Sequence, residues 1–232
     1  GWTPVQPGPD PVLYGHVDFA PKGKFEVRSY QTFTLTYTVG RFGLDDTGAI
    51  RVVFRAMGDT GTMQTTDPTA DNYVSAKSSN GATLSVDYTR RGQSARPRWK
   101  SLTINVNGGY MREGDTITII FGDTSKGSNG LKMQTMVETD FEFKVLADVC
   151  AVGHFVPIPN TPSIDIVPGH PVVWRAVLSS LRRPGERFQF GLKAEDNWGN
   201  PTEHAEGKFS FETTLPVNNL PEFYDYSAGE RA

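Results

Sequence analysis

The chain has 232 residues, 21% charged and 37% hydrophobic, a globular balance that confines any disorder signature to the ends. A formal net charge of −3 gives no general attraction to nucleic acid or anionic lipid, and no apolar run approaches the ~20 residues that cross a bilayer. With 24 Gly and 16 Pro, many turns and few long helices are expected, in one large all-β domain or two smaller ones.

The first strong element is "QTFTLTYTVG", where Phe33, Leu35, Tyr37 and Val39 point one way and Thr32, Thr34, Thr36 and Thr38 the other. That period of two predicts a half-buried strand. "AIRVVFRAM" is apolar on both faces around Val52, Val53 and Phe54, which predicts a central strand. Alternation returns in "LSVDY", "SLTINVN", "DTITIIFGD" and "DFEFKV", with Phe141, Phe143 and Val145 inward in the last. The connections "DDTGA", "SSNGA", "NGGYMREGD" and "GDTSKGSNG" carry the Asn-Gly and Gly-rich chemistry of hairpins and sandwich corners. No window sustains a helical apolar period.

A Pro-marked crossing (Pro157, Pro159, Pro162) comes next, and a domain boundary is expected near 148–160. Beyond it "SIDIV", "HPVVWRAVL", "ERFQFGLKAED" and "GKFSFETT" read as strands, with Phe188, Phe190, Leu192 and Ala194 turned inward, as are Phe209 and Phe211. This second unit has roughly 75 residues against the ~100 of a complete immunoglobulin-like sandwich. Its tail, "LPVNNLPEFYDYSAGERA", shows no clear closing strand. The expectation is an all-β chain of two immunoglobulin-like β-sandwiches, residues 1–150 and 151–232. The second is short of complete: the chain is a fragment, or a neighbour supplies the last strand.

Two clusters bear on function. "GLKAEDNWGNPTE" gathers Glu195, Asp196, Asn197 and Asn200 around Trp198. As chemistry it would be a calcium site, since hard cations take several oxygens from a loop, but D-x-D-x-D-G spacing and the bidentate Glu at the twelfth position are missing. The favoured reading is a turn, with Asx bonds at Asp196, positive φ at Gly199 and Pro201 ending the pairing. "TRRGQSARPRWK" places Arg96 and Arg98 around Trp99, either an anion or carbohydrate site or a solvated hairpin tip, the latter favoured. For a carbohydrate, Trp99, Tyr110 and Trp198 are the candidate stacking rings.

Catalytic signatures fail one by one. "FGDTSKGSNGLKMQT" lacks the order and the following helix of a P-loop, and no G-x-S-x-G elbow occurs. Cys150 and His154 on one strand would stand about 13 Å apart, so Cys150 is expected to be a packing residue. The paired acids Asp45–Asp46, Glu113–Asp115 and Glu138–Asp140 lie beside turns, whereas a glycosidase needs carboxylates converging at about 5–9 Å. As the only cysteine, Cys150 forms no intrachain disulfide, and with no signal peptide in "GWTPVQPGPDP" localisation stays open, the cytoplasm being the readier fit.

Two resemblances add to this reading. The D-x-x-G-N-P turn at 196–201, preceded by the P-G-E step of "RRPGERFQF", is similar to bacterial immunoglobulin-like domains. The phrases "TFTLTYTVGRFGLDDTGAIRVVFR", "DNYVSAKSSNGATL", "RPRWKSLTINVNGGYMREGDTITIIFGD", "GSNGLKMQT" and "AEDNWGNP" together resemble the N-terminal β-rich region of an uncharacterised bacterial family of large proteins. In that family the C-terminal part resembles PHP-type metal-dependent phosphoesterases. No "GDLHxH" motif occurs here, and His16, His154, His170 and His204 are isolated. The resemblance therefore implies a non-catalytic accessory region with no cofactor, whose partner is another domain of the same polypeptide or a separate protein. Trp2, Tyr224 and Tyr226 are expected as docking aromatics. A carbohydrate-binding module and a stand-alone β-sandwich hydrolase are the alternatives.

Overall fold

The computed structural model describes residues 10–91 and 98–227. It opens on a single turn, α1 (Pro11–Tyr14), whose Asp10 cap accepts the Val12 N–H at 2.9 Å. The strands that come after it are β1 (His16–Ala20), β2 (Lys24–Glu26), β3 (Tyr30–Gln31), β4 (Phe33–Thr38), β5 (Ala49–Arg55), β6 (Val74–Ser78) and β7 (Leu84–Thr89). Next come β8 (Arg98–Val106), β9 (Thr116–Phe121), β10 (Leu131–Lys132), β11 (Glu138–Glu142), β12 (Lys144–Asp148), β13 (Val156–Pro157) and β14 (Ser163–Val167). The last four are β15 (Val173–Leu178), β16 (Phe190–Glu195), β17 (Gly207–Ser210) and β18 (Phe223–Tyr226). The fold is all-β, and among the described residues no helix is long and apolar enough to cross a membrane.

Two compact units divide between Val167 and Pro168. The boundary expected near 150 falls later because β13 and β14 belong to the first unit. β13 pairs with β12, while β14 pairs antiparallel with β11 and parallel with β2. Two antiparallel sheets carry the first unit, in the orders β1-β4-β9-β6 and β13-β12-β5-β8-β7.

Their inner faces share one core. Phe33, Leu35 and Tyr37 on β4 and Ile117, Ile119 and Phe121 on β9 are fully buried, as are Ile50, Val52, Leu102 and Ile104 from the other sheet. The threonines between the β4 positions stay half-buried on the outer face, and β5 is buried on both faces. Phe143 sits at the aromatic centre, its ring centroid 4.6 Å from Phe19, 5.3 Å from both Phe54 and Phe121, 5.5 Å from Phe33 and 5.6 Å from Phe141. Tyr37 reaches out of the core with its hydroxyl, which donates to the Tyr14 carbonyl at 2.5 Å, and burial pushes its phenol pKa up. At Gly122 (φ 68) the chain leaves β9 so close to β3 and β10 that a Cβ would lie 2.1 Å from the Leu131 nitrogen.

The second unit consists of two ribbons, β15–β16 and β17–β18. Leu192, Ala194, Ala205 and Tyr226 form its core, with Trp174 packed edge-on against Phe209 and Tyr226 at 4.6 and 5.0 Å. Three expectations are corrected here. The tail does contain a closing strand, β18, which pairs with β17. Tyr226 is buried and Tyr224 half-buried, because this small core uses both rings. Phe188 and Phe190, expected inside, are 37% and 39% exposed, because β17–β18 packs mainly on Trp174, while Phe190 meets Phe211 edge-on at 5.4 Å. Trp2 lies outside the described residues.

Candidate functional site

The turn cluster at 195–203 is built as a corner. Asp196 is almost wholly buried, and its two carboxylate oxygens accept four protein N–H groups. Oδ1 takes the backbone N–H of Trp198 at 2.8 Å and of Asn200 at 2.9 Å; Oδ2 takes that of Gly169 at 3.0 Å and the Asn200 side-chain amide at 2.9 Å. Burial alone would raise the Asp196 pKa, but the hydrogen bonds from Asn200, Gly169 and Trp198 outweigh it and hold the carboxyl below the usual range. Gly199 supplies the positive φ of 83° that closes the turn.

Glu195 is likewise engaged, accepting from Lys193 Nζ at 2.6 Å and Arg175 Nε at 3.0 Å, and these two cations keep its pKa low. Asn197 is exposed on the loop. Asp196 and Glu195, the two carboxylates weighed as a calcium site, thus spend their oxygens on the protein. Among the described residues no three His, Cys, Asp or Glu side chains gather to hold a metal ion.

The aromatic candidates separate. Trp99, near the start of β8, is 36% exposed. Its neighbour Arg98 is tied in an ion pair to Glu142, and Arg96 lies outside the described residues. Seven residues of β8, about 23 Å of strand, lie between Trp99 and the end beyond which Tyr110 sits. Trp198, half exposed, belongs to the second unit.

Tyr110 is the candidate that borders a cleft. That cleft, about 440 Å³, lies between the turns at 79–83 and 107–115 and is lined by Asn80, Gly81, Gly109, Tyr110, Arg112 and Asp115. Strand pairing brings the turns together: Leu84 faces Val106, Asn107 N–H donates to Thr83 O at 2.8 Å, and Ser79 N–H to Thr116 O at 2.9 Å. Asn80 stitches them with its side-chain amide, which donates to Tyr110 O and to Asp115 Oδ2, both at 3.1 Å.

The ring itself is fixed. Arg112 donates to the Tyr110 hydroxyl from Nη2 at 2.6 Å and Nε at 3.1 Å, and its guanidinium carbon lies 5.3 Å from the ring centroid. The same bond raises the guanidinium pKa above its ordinary value. Asp115 Oδ2 also accepts the Arg112 backbone N–H at 2.8 Å. Tyr110 remains 53% exposed, and the Gly81 and Gly109 flanks leave its surroundings open. An aromatic surface, a fixed cation and a carboxylate therefore line one cleft together with Gly81, Gly108 and Gly109.

Sequence reasoning named Tyr110, weighed Asp115 only as one of the paired acids beside turns, and missed Asn80 and Arg112. Both turn motifs were visible, but which turns become neighbours depends on the pairing of β7 with β8. A second cleft, about 500 Å³ and lined by Asp18, Lys22, Thr34, Thr36 and Asn160, offers polar groups without an exposed ring.

Cys150, expected to pack, is exposed. The strand ends at Asp148, whose carboxylate accepts Val152 N–H at 3.1 Å and Gly153 N–H at 2.6 Å, so Cys150 and His154 lie in a turn rather than along one strand face.

No protein-family model matches the chain, and no curated protein matches it. Among solved structures it is similar to the CBM3a-L domain with flanking linkers from scaffoldin cipA of the Clostridium thermocellum cellulosome, at 15% identity and a TM-score of 0.36, over 66% of this chain and 95% of that one. It is also similar to AvmM, described as catalysing macrocyclization in alchivemycin A biosynthesis, at 14% identity and a TM-score of 0.36, over 68% and 91%. Likenesses this distant carry no argument about function.

Proposed function

We propose that this chain is a non-catalytic binding region whose first unit takes a carbohydrate in the Tyr110 cleft. The observation that carries the reading is the half-exposed Tyr110 ring, its hydroxyl held by Arg112, beside an open cleft that Gly81, Gly108 and Gly109 help to line. A sugar presents an apolar face to the ring and hydroxyls to the rim, where Asn80, Arg112 and Asp115 supply donors and acceptors. The non-catalytic part of the reading is supported by the spent acids of the second unit, since Asp196 and Glu195 are consumed by hydrogen bonds and ion pairs. A binding region of this kind suits an accessory role beside a catalytic domain, the arrangement that the family resemblance implies.

The test is retention of the intact chain on a panel of immobilised and soluble polysaccharides, followed by titration with oligosaccharides of the retaining polymer. Covering about 60 Å² of ring is worth about 1.5 kcal/mol, so Tyr110→Ala lowers affinity roughly tenfold. Equal affinity in Tyr110→Ala and Arg112→Ala, or no retention on any polymer, refutes the assignment.

A further inference from the structure

Beside the loop that leaves β5, the first unit closes over a cavity of about 10 Å³ whose wall includes Phe54, Gly58, Lys100, Gln134, Glu138 and Phe141. Gln134 is fully buried. Its side-chain nitrogen donates to Met136 O at 3.0 Å and to Glu138 Oε2 at 2.9 Å, which spends both amide hydrogens. The flipped amide would set its oxygen against those two acceptors, so Oε1 is the atom turned the other way. That oxygen receives no hydrogen bond from the protein. Neither does the buried Glu138 Oε1, which lies 2.9 Å from Arg55 Nη1, an ion-pair distance without hydrogen-bond geometry.

Two buried acceptors on one small cavity call for a shared donor. The space suits a single water, which needs about 10–15 Å³ and two to four polar partners. Lys100 is a third partner, since its ammonium spends one of three donors on the Gly58 carbonyl. A cation of that size would find the same oxygens but a hostile wall. Among the residues lining the cavity, Lys100 and Arg55 carry two positive charges against the one carboxylate of Glu138. Burial lowers the Lys100 pKa, and farther out Arg90 lowers and Asp59 raises it, so the surroundings add little attraction for a second cation. A neutral donor fits where a charged one does not.

We propose that this cavity binds one water molecule, which donates to Gln134 Oε1 and Glu138 Oε1, accepts from Lys100 Nζ and so ties the loop at Gly58 to β8 and β11. Glycine at 58 keeps the space clear, because a Cβ there would stand 2.5 Å from Gln134 Oε1.

A crystal structure of the intact chain near atomic resolution is expected to show a water within about 2.6–3.2 Å of all three atoms. In solution, the Gln134 side-chain amide gives a magnetisation-transfer cross-peak to a long-lived water. Gly58→Ala, shown to be folded by circular dichroism, loses that cross-peak; should it fail to fold, the wild-type measurements decide alone. Exchanging sodium, potassium and ammonium at fixed ionic strength moves the first-unit melting temperature by less than about 2 °C, because none of them binds the folded state preferentially. Absence of the water from the wild type overturns the proposal, as does a cross-peak that persists in folded Gly58→Ala. A larger melting shift with one of the three cations makes that ion the occupant and overturns it too.

Discussion

Asp196→Ala removes one side chain and strands four donors, the N–H groups of Gly169, Trp198 and Asn200 and the Asn200 amide. A hydrogen bond to a charged group contributes about 1.5–3 kcal/mol, and neighbouring bonds add incompletely, so the loss should be about 3–5 kcal/mol. The second unit runs from Pro168 to Ala232, and a unit of that size holds roughly 3–10 kcal/mol in all. Asp196→Ala should therefore unfold it, or lower its melting temperature by about 12 °C or more, and leave the first unit intact. Urea and thermal unfolding followed by tryptophan fluorescence separates the two, since Trp174 and Trp198 report on the second unit. Acid adds a signed test. The folded carboxyl has a depressed pKa, so its stabilisation is present above the unfolded aspartate value and is lost as pH falls through the folded one. Asp196→Asn should accordingly show a flatter acid limb than wild type, from a lower plateau. Chelation should change neither transition. A melting shift under about 3 °C in Asp196→Ala, or destabilisation of wild type by EDTA, refutes the corner as described.

Two further outcomes test the first unit. Tyr37→Phe leaves the Tyr14 carbonyl without its donor and should cost about 1–2 kcal/mol in urea unfolding. Because burial raises the folded phenol's pKa, wild type should lose stability as pH rises past the ordinary tyrosine value, and Tyr37→Phe should lose less over that window. Phe143→Ala empties the centre of a cluster of five neighbouring rings and should cost about 3–5 kcal/mol, read from the first-unit transition alone.

The strands that carry the first core were legible because burial on one face imposes a period of two, and Phe33, Leu35 and Tyr37 or Ile117, Ile119 and Phe121 display it openly. Short edge elements escaped. β2, β3, β10 and β13 span two or three residues each, too few for any period, and are strands only because a neighbour offers a ladder. β18 was hidden for a related reason, since "FYDY" shows alternation only once β17 lies beside it. The domain boundary was drawn at the prolines, whereas the parallel pairing of β14 with β2 joins residues about 140 positions apart and leaves no local trace. At the candidate site, Tyr110 could be named from its type, but its cleft could not.

By itself the sequence determined an all-β chain, the inward residues of its long strands, the turn chemistry at Asp196, Gly199 and Pro201, and the lack of a charge excess that would draw nucleic acid. All of these arise from neighbours along the chain, through side-chain alternation and the φ preferences of Gly and Pro. Tertiary structure alone decided that the Asp196 oxygens are saturated, that Tyr226 is buried while Phe190 is not, and that Asn80 and Arg112 meet at Tyr110. Burial and hydrogen-bond partnership depend on which distant strands pair, and local pattern does not encode that choice.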